Sequence, residues 1–215
     1  MFDLEYLKKR LADYSTTDLL RHIFLETENF TPEAMKIFKD EVERREGEIE
    51  GLISKEATRT GVIEYVVKQT IFHETREENQ ITGNTYLTSK GLFFIPESIF
   101  KTSAYRTFLS IGVMELRLLG LVIDEDVLSL TIKESNKKLP LSMLTSIMPY
   151  SFCILIHEIK NVTYSNNGRI QTENYDDEQE TLSVARSDLP TILSWLNLHN
   201  APYSKNISLL SKLFG

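Results

Sequence analysis

The last third of the chain alternates strand-forming runs with turn sequences, and no other feature restricts the fold as strongly. Residues 153–164 are rich in β-branched and aromatic side chains, and the Asn-Asn-Gly sequence at 166–168 is a strong signal for a turn with positive φ. Residues 170–175 and 181–186 repeat the strand pattern on either side of an acidic turn. Because connections this short join antiparallel neighbours, we predict three antiparallel strands here.

A helix is expected to close this strand region. Ser187 or Asp188 can cap it, and Pro190 suits its first turn, where a missing N–H leaves no hydrogen bond unmade. Its broad apolar face contains Leu189, Ile192, Leu193, Trp195 and Leu196. We therefore expect the helix to pack Trp195, the only tryptophan of the chain, against the strands.

Residues 1–57 have the three- and four-residue spacing of helices. The apolar face of the first helix contains Leu4, Leu7, Leu11 and Tyr14. Ser15 and Asp18 predict a capping box that starts a second helix, and Thr31 is placed to cap a third. We expect the charged segment 41–50 to continue the third helix and to end the helical region.

From Gly61 onward the apolar residues repeat every second position, which is typical of strands. Ile63, Tyr65, Val67 and Ile71 alternate with their neighbours, so we predict a strand that turns these side chains toward a core.

A β-hairpin is predicted next, from residues 83–88 and 92–95. In this interpretation Gly91 supplies the positive φ of the turn, and Pro96 ends the second strand because it cannot donate to a sheet.

The following residues are the most apolar of the chain. Residues 98–123 have a helical, largely buried pattern, and 128–132 alternate again as a strand. The apolar run is long enough to span a bilayer, but it contains Arg106, Glu115 and Arg117. Each charge would cost a few kcal/mol near a bilayer centre, so we expect a buried helix and no transmembrane segment.

Two of these stretches resemble a known family. The Gly-Asn-Thr-Tyr-Leu-Thr sequence at 83–88, followed by Leu-Phe-Phe at 92–94, resembles the hairpin of GRAM and related pleckstrin-homology-like domains. Three antiparallel strands followed by a helix with a tryptophan are similar to the way such domains close an open barrel. Residues 14–16 and 29–34 also look like a short helical leader found on uncharacterised bacterial proteins.

The resemblance implies an α+β fold in three parts. Residues 1–57 would form a helical leader. Residues 58–200 would form an antiparallel, pleckstrin-homology-like open β-barrel with a helical insertion at about 98–150 and a C-terminal capping helix, and 201–215 would form a tail. It also implies a binding or scaffolding module without chemistry of its own, since such domains hold lipid head groups, peptides or other proteins.

Charge and cysteine content restrict the partners and the compartment. The formal net charge is -7, with 31 acidic against 24 basic residues, which opposes binding to nucleic acid and disfavours anionic lipid. Cys153 is the only cysteine, and the N-terminus lacks the basic-then-apolar layout of a secretory signal. We therefore expect a reduced, cytoplasmic protein.

No catalytic or metal-binding motif is recognised. Cys153 and His157 would have to lie within hydrogen-bond reach to act as nucleophile and base, but four positions along a strand span about 13 Å. The other histidines are scattered, namely His22, His73 and His199. Three carboxylate clusters occur: Glu74 with Glu77 and Glu78, residues 124–126, and residues 176–178. They lack the alternating ligands and the glycine of a calcium loop. We expect solvated turns, no catalytic residue, no metal and no cofactor.

The expected function is that of a non-enzymatic binding module. A protein partner or self-association is the favoured interaction, with the edge of the strands as the docking surface. Phospholipid binding is an alternative, with candidate cations Lys55, Arg59, Lys68, Arg76, Lys90 and Lys101, although acidic neighbours would weaken their field. An enzyme with an unrecognised site under the 98–150 insertion is a second alternative. The sequence identifies no ligand-binding residue.

Overall fold

The computed structural model describes residues 4–25, 30–74, 79–101, 140–148 and 150–206. These residues fall into two compact units: a helical unit with residues 4–59 and 140–148, and a sheet unit with residues 60–101 and 150–206. The predictions for residues 98–132 lie almost entirely outside the described residues. Within the described ranges, no helix has the length and apolar composition that a bilayer-spanning segment needs.

The helical unit contains five helices among its described residues: α1 (Leu4–Asp13), α2 (Thr16–Leu25), α3 (Pro32–Arg44), α4 (Glu46–Thr60) and α5 (Leu141–Ile147). The predicted helix starts are confirmed. The amide of Asp18 donates to Ser15 Oγ at 3.1 Å, and the amide of Ala34 donates to Thr31 Oγ1 at 3.3 Å. The Asp18 carboxylate accepts a hydrogen bond from the Ser15 hydroxyl at 2.6 Å, so the two capping residues also contact each other through their side chains.

The prediction that segment 41–50 ends the helical region is wrong. Helix α3 stops at Arg44, and α4 begins two residues later and runs to Thr60. Ile49 and Ile53, four residues apart on α4, are both buried. These two side chains give the charged segment a buried side, and this buried side stabilises a further helix.

The sheet unit contains eight strands: β1 (Ile63–Glu74), β2 (Asn79–Thr88), β3 (Gly91–Lys101), β4 (Phe152–Leu155), β5 (Ile159–Tyr164), β6 (Arg169–Asn174), β7 (Gln179–Ser183) and β8 (Tyr203–Lys205). They form one sheet in the order β4-β3-β2-β1-β7-β6-β5-β8. Every described pairing is antiparallel except that of β5 with β8. The α+β class is confirmed.

The C-terminal predictions are largely confirmed. Strands β5, β6 and β7 are antiparallel neighbours, and Gly168 has φ +87° in the turn between β5 and β6. Helix α6 (Leu189–Leu198) follows, with Pro190 in its first turn. Asp188 occupies the N-cap position, but its side chain makes no capping hydrogen bond.

Residues 153–164 form two strands rather than one. A 3₁₀ turn, Ile156–Glu158, separates β4 from β5, and the Glu158 carboxylate accepts from the amide of Leu155 at 2.9 Å. After this corner the chain leaves β3 and pairs with β6. The continuous run of β-branched residues gave no sign of this corner. The corner is stabilised by the side chain of Glu158, which has no turn signature in the sequence.

The β2–β3 hairpin exists, but Gly91 is not its positive-φ residue. The Thr88 hydroxyl organises the turn by accepting from the amides of Lys90 and Gly91, each at 3.1 Å. Glycine is required at 91 because a Cβ there would lie 2.5 Å from the Ile154 carbonyl oxygen and 2.9 Å from Leu155 Cα. The close approach of β4 therefore selects this glycine.

Two strand predictions are corrected by bulges. Pro96 does not end its strand, since β3 continues to Lys101 and Pro96 faces Gly83 next to a bulge in β3, where Glu97 is the extra residue between Pro96 and Ser98. A bulge tolerates proline because no ladder hydrogen bond is required of it.

In β1, Val67 is buried as predicted, but Ile63 and Tyr65 are exposed. A shift between Val67 and Thr70 makes Thr70 and Phe72 the buried residues farther along.

One apolar core joins all seven antiparallel strands to α6. It contains Val67, Phe72, Ile81, Leu87, Leu92, Phe94, Ile154, Ile159, Val162, Ile170, Leu182, Val184, Ile192, Trp195, Leu196 and Ala201. A flat sheet of seven strands would be about 29 Å wide, whereas a helix is about 10 Å across. The sheet must therefore curl around its core. Trp195 is fully buried there, and its Nε1 donates to the Thr88 carbonyl at 3.1 Å.

Candidate binding cleft

A cleft of about 590 Å³ opens in the sheet unit. Its lining includes Phe72, in the second half of β1. Near the start of β1, Glu64 Oε2 lies 2.7 Å from Nε2 of His199, just after the end of α6. The cleft and the Glu64–His199 contact therefore involve different parts of this strand.

The apolar part of the cleft is aromatic. Phe72, Tyr150 and Phe152 line it. The ring centroids of Phe72 and Phe152 are 5.0 Å apart, and Phe152 stacks on the buried Phe94 at 5.5 Å with an interplanar angle of 21°. These rings belong to β1, β3 and β4, so the cleft floor depends on the pairing of those strands.

The opposite wall is polar and acidic. It comes from β6, from β7 and from the turn between them, and consists of Gln171, Asp177, Glu178, Gln179, Glu180 and Thr181. The Asn174 side chain fixes this turn by accepting from the amides of Asp176 and Glu178, at 3.0 and 2.9 Å. Asp177 adopts φ +61° there. The carboxylates are therefore carried by a turn with its own hydrogen bonds.

One cation lies close to this rim. Lys160 Nζ, on β5, donates to Asp177 at 2.5 Å and to Glu173 at 2.9 Å. These hydrogen bonds raise the pKa of the Lys160 ammonium above its ordinary value. The acidic residues Asp177, Glu178 and Glu180 line the cleft, and the ammonium lies against the first of them.

The arrangement suits a cation. The face of an aromatic ring is electronegative and attracts ammonium and guanidinium groups, and carboxylates at the rim add a charge partner for the same group. The volume is within the range of small-ligand pockets, about 300 to 1,000 Å³, and can hold a lysine or arginine side chain with its flanking backbone. An anionic head group would instead meet the carboxylates.

The structure places the proposed nucleophile and base in different local settings. Cys153 is a partly buried residue of β4 opposite Phe93, and His157 is exposed on the 3₁₀ turn. Cys153 is thus less buried than a core residue.

The remaining histidines take structural partners. His22 stacks on Tyr14 with centroids 4.9 Å apart, and His73 Nε2 lies 2.7 Å from Ser183 Oγ. Burial lowers the pKa of His73, and the positive charge of Arg169 lowers it further. Within the part of the chain that the structure describes, no group of three or more His, Cys, Asp or Glu residues is arranged to hold a metal ion.

Among the cations proposed for phospholipid, none of those whose side chains the structure describes lines the cleft. Two belong to the helical unit (Lys55, Arg59), two to the sheet unit (Lys68, Lys90), and two have side chains outside the described residues (Arg76, Lys101). Arg59 lies 4.0 Å from Glu56, within its own helix. The side chains of the carboxylate clusters at 74–78 and 124–126 lie outside the described residues as well.

Sequence reasoning missed the cleft. It correctly interpreted residues 176–178 as a hairpin tip but did not place Tyr150 and Phe152 across from it. One local signal was available: three of the rim residues, Asp177, Glu178 and Glu180, are acidic and lie within four positions of one another.

Comparisons with known proteins establish no family. No family model matches the chain, and no curated protein matches it. Among solved structures, the Spt16D Pob3N heterodimer is similar with a TM-score of 0.37 and 8% sequence identity, over 69% of this chain and 57% of that one. The chain thus spans less than two thirds of the matched chain, and the TM-score is too low to establish a shared fold.

Proposed function

We propose that this protein is a non-enzymatic binding module with a pleckstrin-homology-like sheet unit, which binds a cationic segment of a protein partner in its open cleft. The observation that carries the proposal is the presence, in one cleft, of an aromatic floor and an acidic rim. An aromatic floor with an acidic rim is sufficient for binding, and binding does not require a nucleophile, a general base or a cofactor.

The finer fold assignment is supported by the C-terminal elements. Strands β5, β6 and β7 are followed by α6, whose fully buried Trp195 donates a hydrogen bond to the carbonyl of Thr88, the last residue of β2. The resemblance in sequence implied this combination of three antiparallel strands and a tryptophan-bearing closing helix. The curl of the sheet supports the open-barrel description, since one core collects side chains from both halves of the sheet.

Charge supports a cationic protein segment over an anionic lipid. A cation over an aromatic ring gains about 0.5 to 2 kcal/mol depending on its desolvation, and an exposed ion pair typically adds about 0.2 to 1 kcal/mol. A few such contacts, with the apolar stems of lysine or arginine on the rings, predict weak binding, with a dissociation constant no tighter than about 10 μM. Salt should weaken this binding because the rim is exposed.

The test is fluorescence anisotropy with a labelled peptide rich in lysine and arginine, compared with a peptide in which those residues are replaced by glutamate. We expect the full chain to bind only the cationic peptide. The near-isosteric variant Asp177→Asn/Glu178→Gln/Glu180→Gln should weaken binding at least about tenfold, the equivalent of roughly 1.4 kcal/mol.

A matched control separates local from general charge effects. Asp40, Glu43 and Glu50 are exposed residues of the helical unit, and Asp40→Asn/Glu43→Gln/Glu50→Gln changes the net charge by the same amount. We expect this control to keep wild-type affinity. Equal weakening by both variants, or equal binding of the acidic peptide, would contradict the proposal.

A further inference from the structure

A bulge in β5 places Lys160 beside the turn between β6 and β7. In the pairing of β5 with β6, Ile159 and Asn161 face consecutive residues of β6, so Lys160 is the extra residue between them. A bulge of this kind bends its strand and redirects the side chain that it inserts. The Lys160 ammonium reaches both Glu173, on β6, and Asp177, in the turn. The bulge therefore directs one lysine at the acidic rim of the cleft.

This lysine makes within the protein the contact that a cationic ligand would need. Asp177 lines the cleft, and Lys160 Nζ donates to its carboxylate at 2.5 Å and to that of Glu173 at 2.9 Å. These hydrogen bonds raise the pKa of the ammonium, so Lys160 stays charged at physiological pH. A cation that approaches Asp177 must therefore share this carboxylate with a positive charge that is already present.

The turn has its own hydrogen bonds and does not need Lys160 for its shape. The Asn174 side chain accepts from the amides of Asp176 and Glu178, and the Asn174 amide donates to the Glu178 carbonyl at 3.1 Å. The ion pair is more exposed, since the side chains of Lys160 and Asp177 are 43% and 75% accessible. Exposed ion pairs are weak and are screened by salt. The contact can therefore open while the turn stays in place.

We propose that Lys160 is an internal competitor of the cationic partner. In the free protein its ammonium occupies the Asp177 carboxylate, and binding of the partner displaces it from that residue. The inference rests on the proposed function, because it concerns the same cleft. Glu173 remains as a partner of the displaced ammonium, which lowers the cost of the exchange. Lys160 thus sets the affinity of the cleft, and it favours segments with several cations over segments with one.

The test is the anisotropy titration with the cationic peptide, applied to the full chain with substitutions at Lys160. We expect Lys160→Gln to bind about threefold or more tightly, the effect of removing competition from an exposed ion pair. Lys160→Arg keeps the competing charge and should stay within about twofold of the wild type. Lys90→Gln is the matched control, because it removes an exposed lysine from the β2–β3 turn and changes the net charge equally. It should leave the affinity within about twofold as well.

A double-mutant cycle separates pairing with Asp177 from general repulsion. Asp177→Asn should weaken peptide binding more in the Lys160→Gln background than in the wild type, because only there does no internal cation occupy the carboxylate. Additive effects would overturn the inference and leave the proposed function intact. Wild-type binding that Lys160→Gln leaves unchanged or weakens would do the same. Absence of peptide binding in the wild type and in every variant would overturn both.

Discussion

Arg45 shows how one side chain can organise the helical unit. Its side chain is only 7% exposed, and Nε donates to Glu41 Oε1 at 2.6 Å. The two terminal nitrogens donate to the carbonyls of Tyr14 and Leu11, at 2.6 and 2.7 Å. These carbonyls lie at and just after the end of α1, where helical partners run out. The planar guanidinium therefore ties α3 to the end of α1.

We expect Arg45→Met to destabilise the helical unit by about 3 kcal/mol, because it leaves buried carbonyls and a shielded carboxylate without their donor. Arg45→Lys should recover only part of this loss, since an ammonium lacks the guanidinium fork. Urea unfolding followed by circular dichroism measures the change. Arg44→Met is the matched control: Arg44 also pairs with Glu41 but is 63% exposed, so its loss should cost less than about 1 kcal/mol. Equal losses for the two variants would contradict this role of Arg45.

His73 gives the sheet unit a pH dependence with a definite sign. Burial, followed by the positive charge of Arg169, lowers the pKa of the folded-state imidazole below its ordinary 6.5. As the pH falls through 6.5, His73 becomes protonated in the unfolded chain while it is still neutral in the folded chain. The contribution of His73 is therefore complete above this range and is lost as the pH falls through 6.5 toward the folded pKa.

The matching experiment is thermal unfolding as a function of pH for His73→Gln, which keeps a donor near Ser183. We expect the decline in melting temperature from neutral to mildly acidic pH to be shallower than in the wild type. Arg169→Gln should also make the decline shallower, because it removes the positive charge that holds the pKa of His73 down. A steeper decline in either variant would show that the sign is wrong.

Among the elements, the contact of β3 with β4 is sensitive to a single added methyl group. A Cβ at Gly91 would lie 2.5 Å from the Ile154 carbonyl oxygen, whereas a Cβ at Gly51, inside α4, would meet nothing within 4 Å. Backbone cannot move aside as a flexible side chain can. The same substitution is therefore expected to have opposite effects at the two glycines.

Gly91→Ala should destabilise the sheet unit by about 2 kcal/mol or more through overpacking, and it should weaken the cleft because Phe152 belongs to β4. Gly51→Ala should stabilise the helical unit by about 0.5 to 1 kcal/mol, since alanine loses less backbone entropy in a helix. Chemical unfolding of both variants, with peptide affinity measured for Gly91→Ala, checks these expectations. A neutral Gly91→Ala would mean that β3 and β4 are farther apart than described.

Elements with a strong local signal were predictable from sequence. Ser15 and Thr31 act through amides three residues away, Gly168 needs a positive φ, and α6 has its own apolar face. Elements decided by distant contacts were not. Gly91 is required by a strand some sixty residues away, and Pro96 is tolerated beside a bulge that is defined only by the pairing of β3 with β2. No local pattern of residues contains that information.

For the whole molecule, the same distinction explains why the cleft was missed. Its floor comes from Phe72 and Phe152 and its rim from the β6–β7 turn, and only the curl of the sheet brings them together. Composition did indicate the sign of the partner's charge, since a net charge of -7 disfavours anionic ligands. The acidic rim agrees with that charge.

The most direct test of the cleft is a titration of the isotopically labelled full chain with the cationic peptide, followed by amide chemical shifts in nuclear magnetic resonance spectra. We expect concentration-dependent shifts at residues 150–152 and 177–181, with the amides of α6 and of the helical unit unchanged. High salt should abolish the shifts. Shifts confined to residues outside the cleft, or no shifts at peptide concentrations well above the expected dissociation constant, would contradict the assignment of this cleft as the binding site.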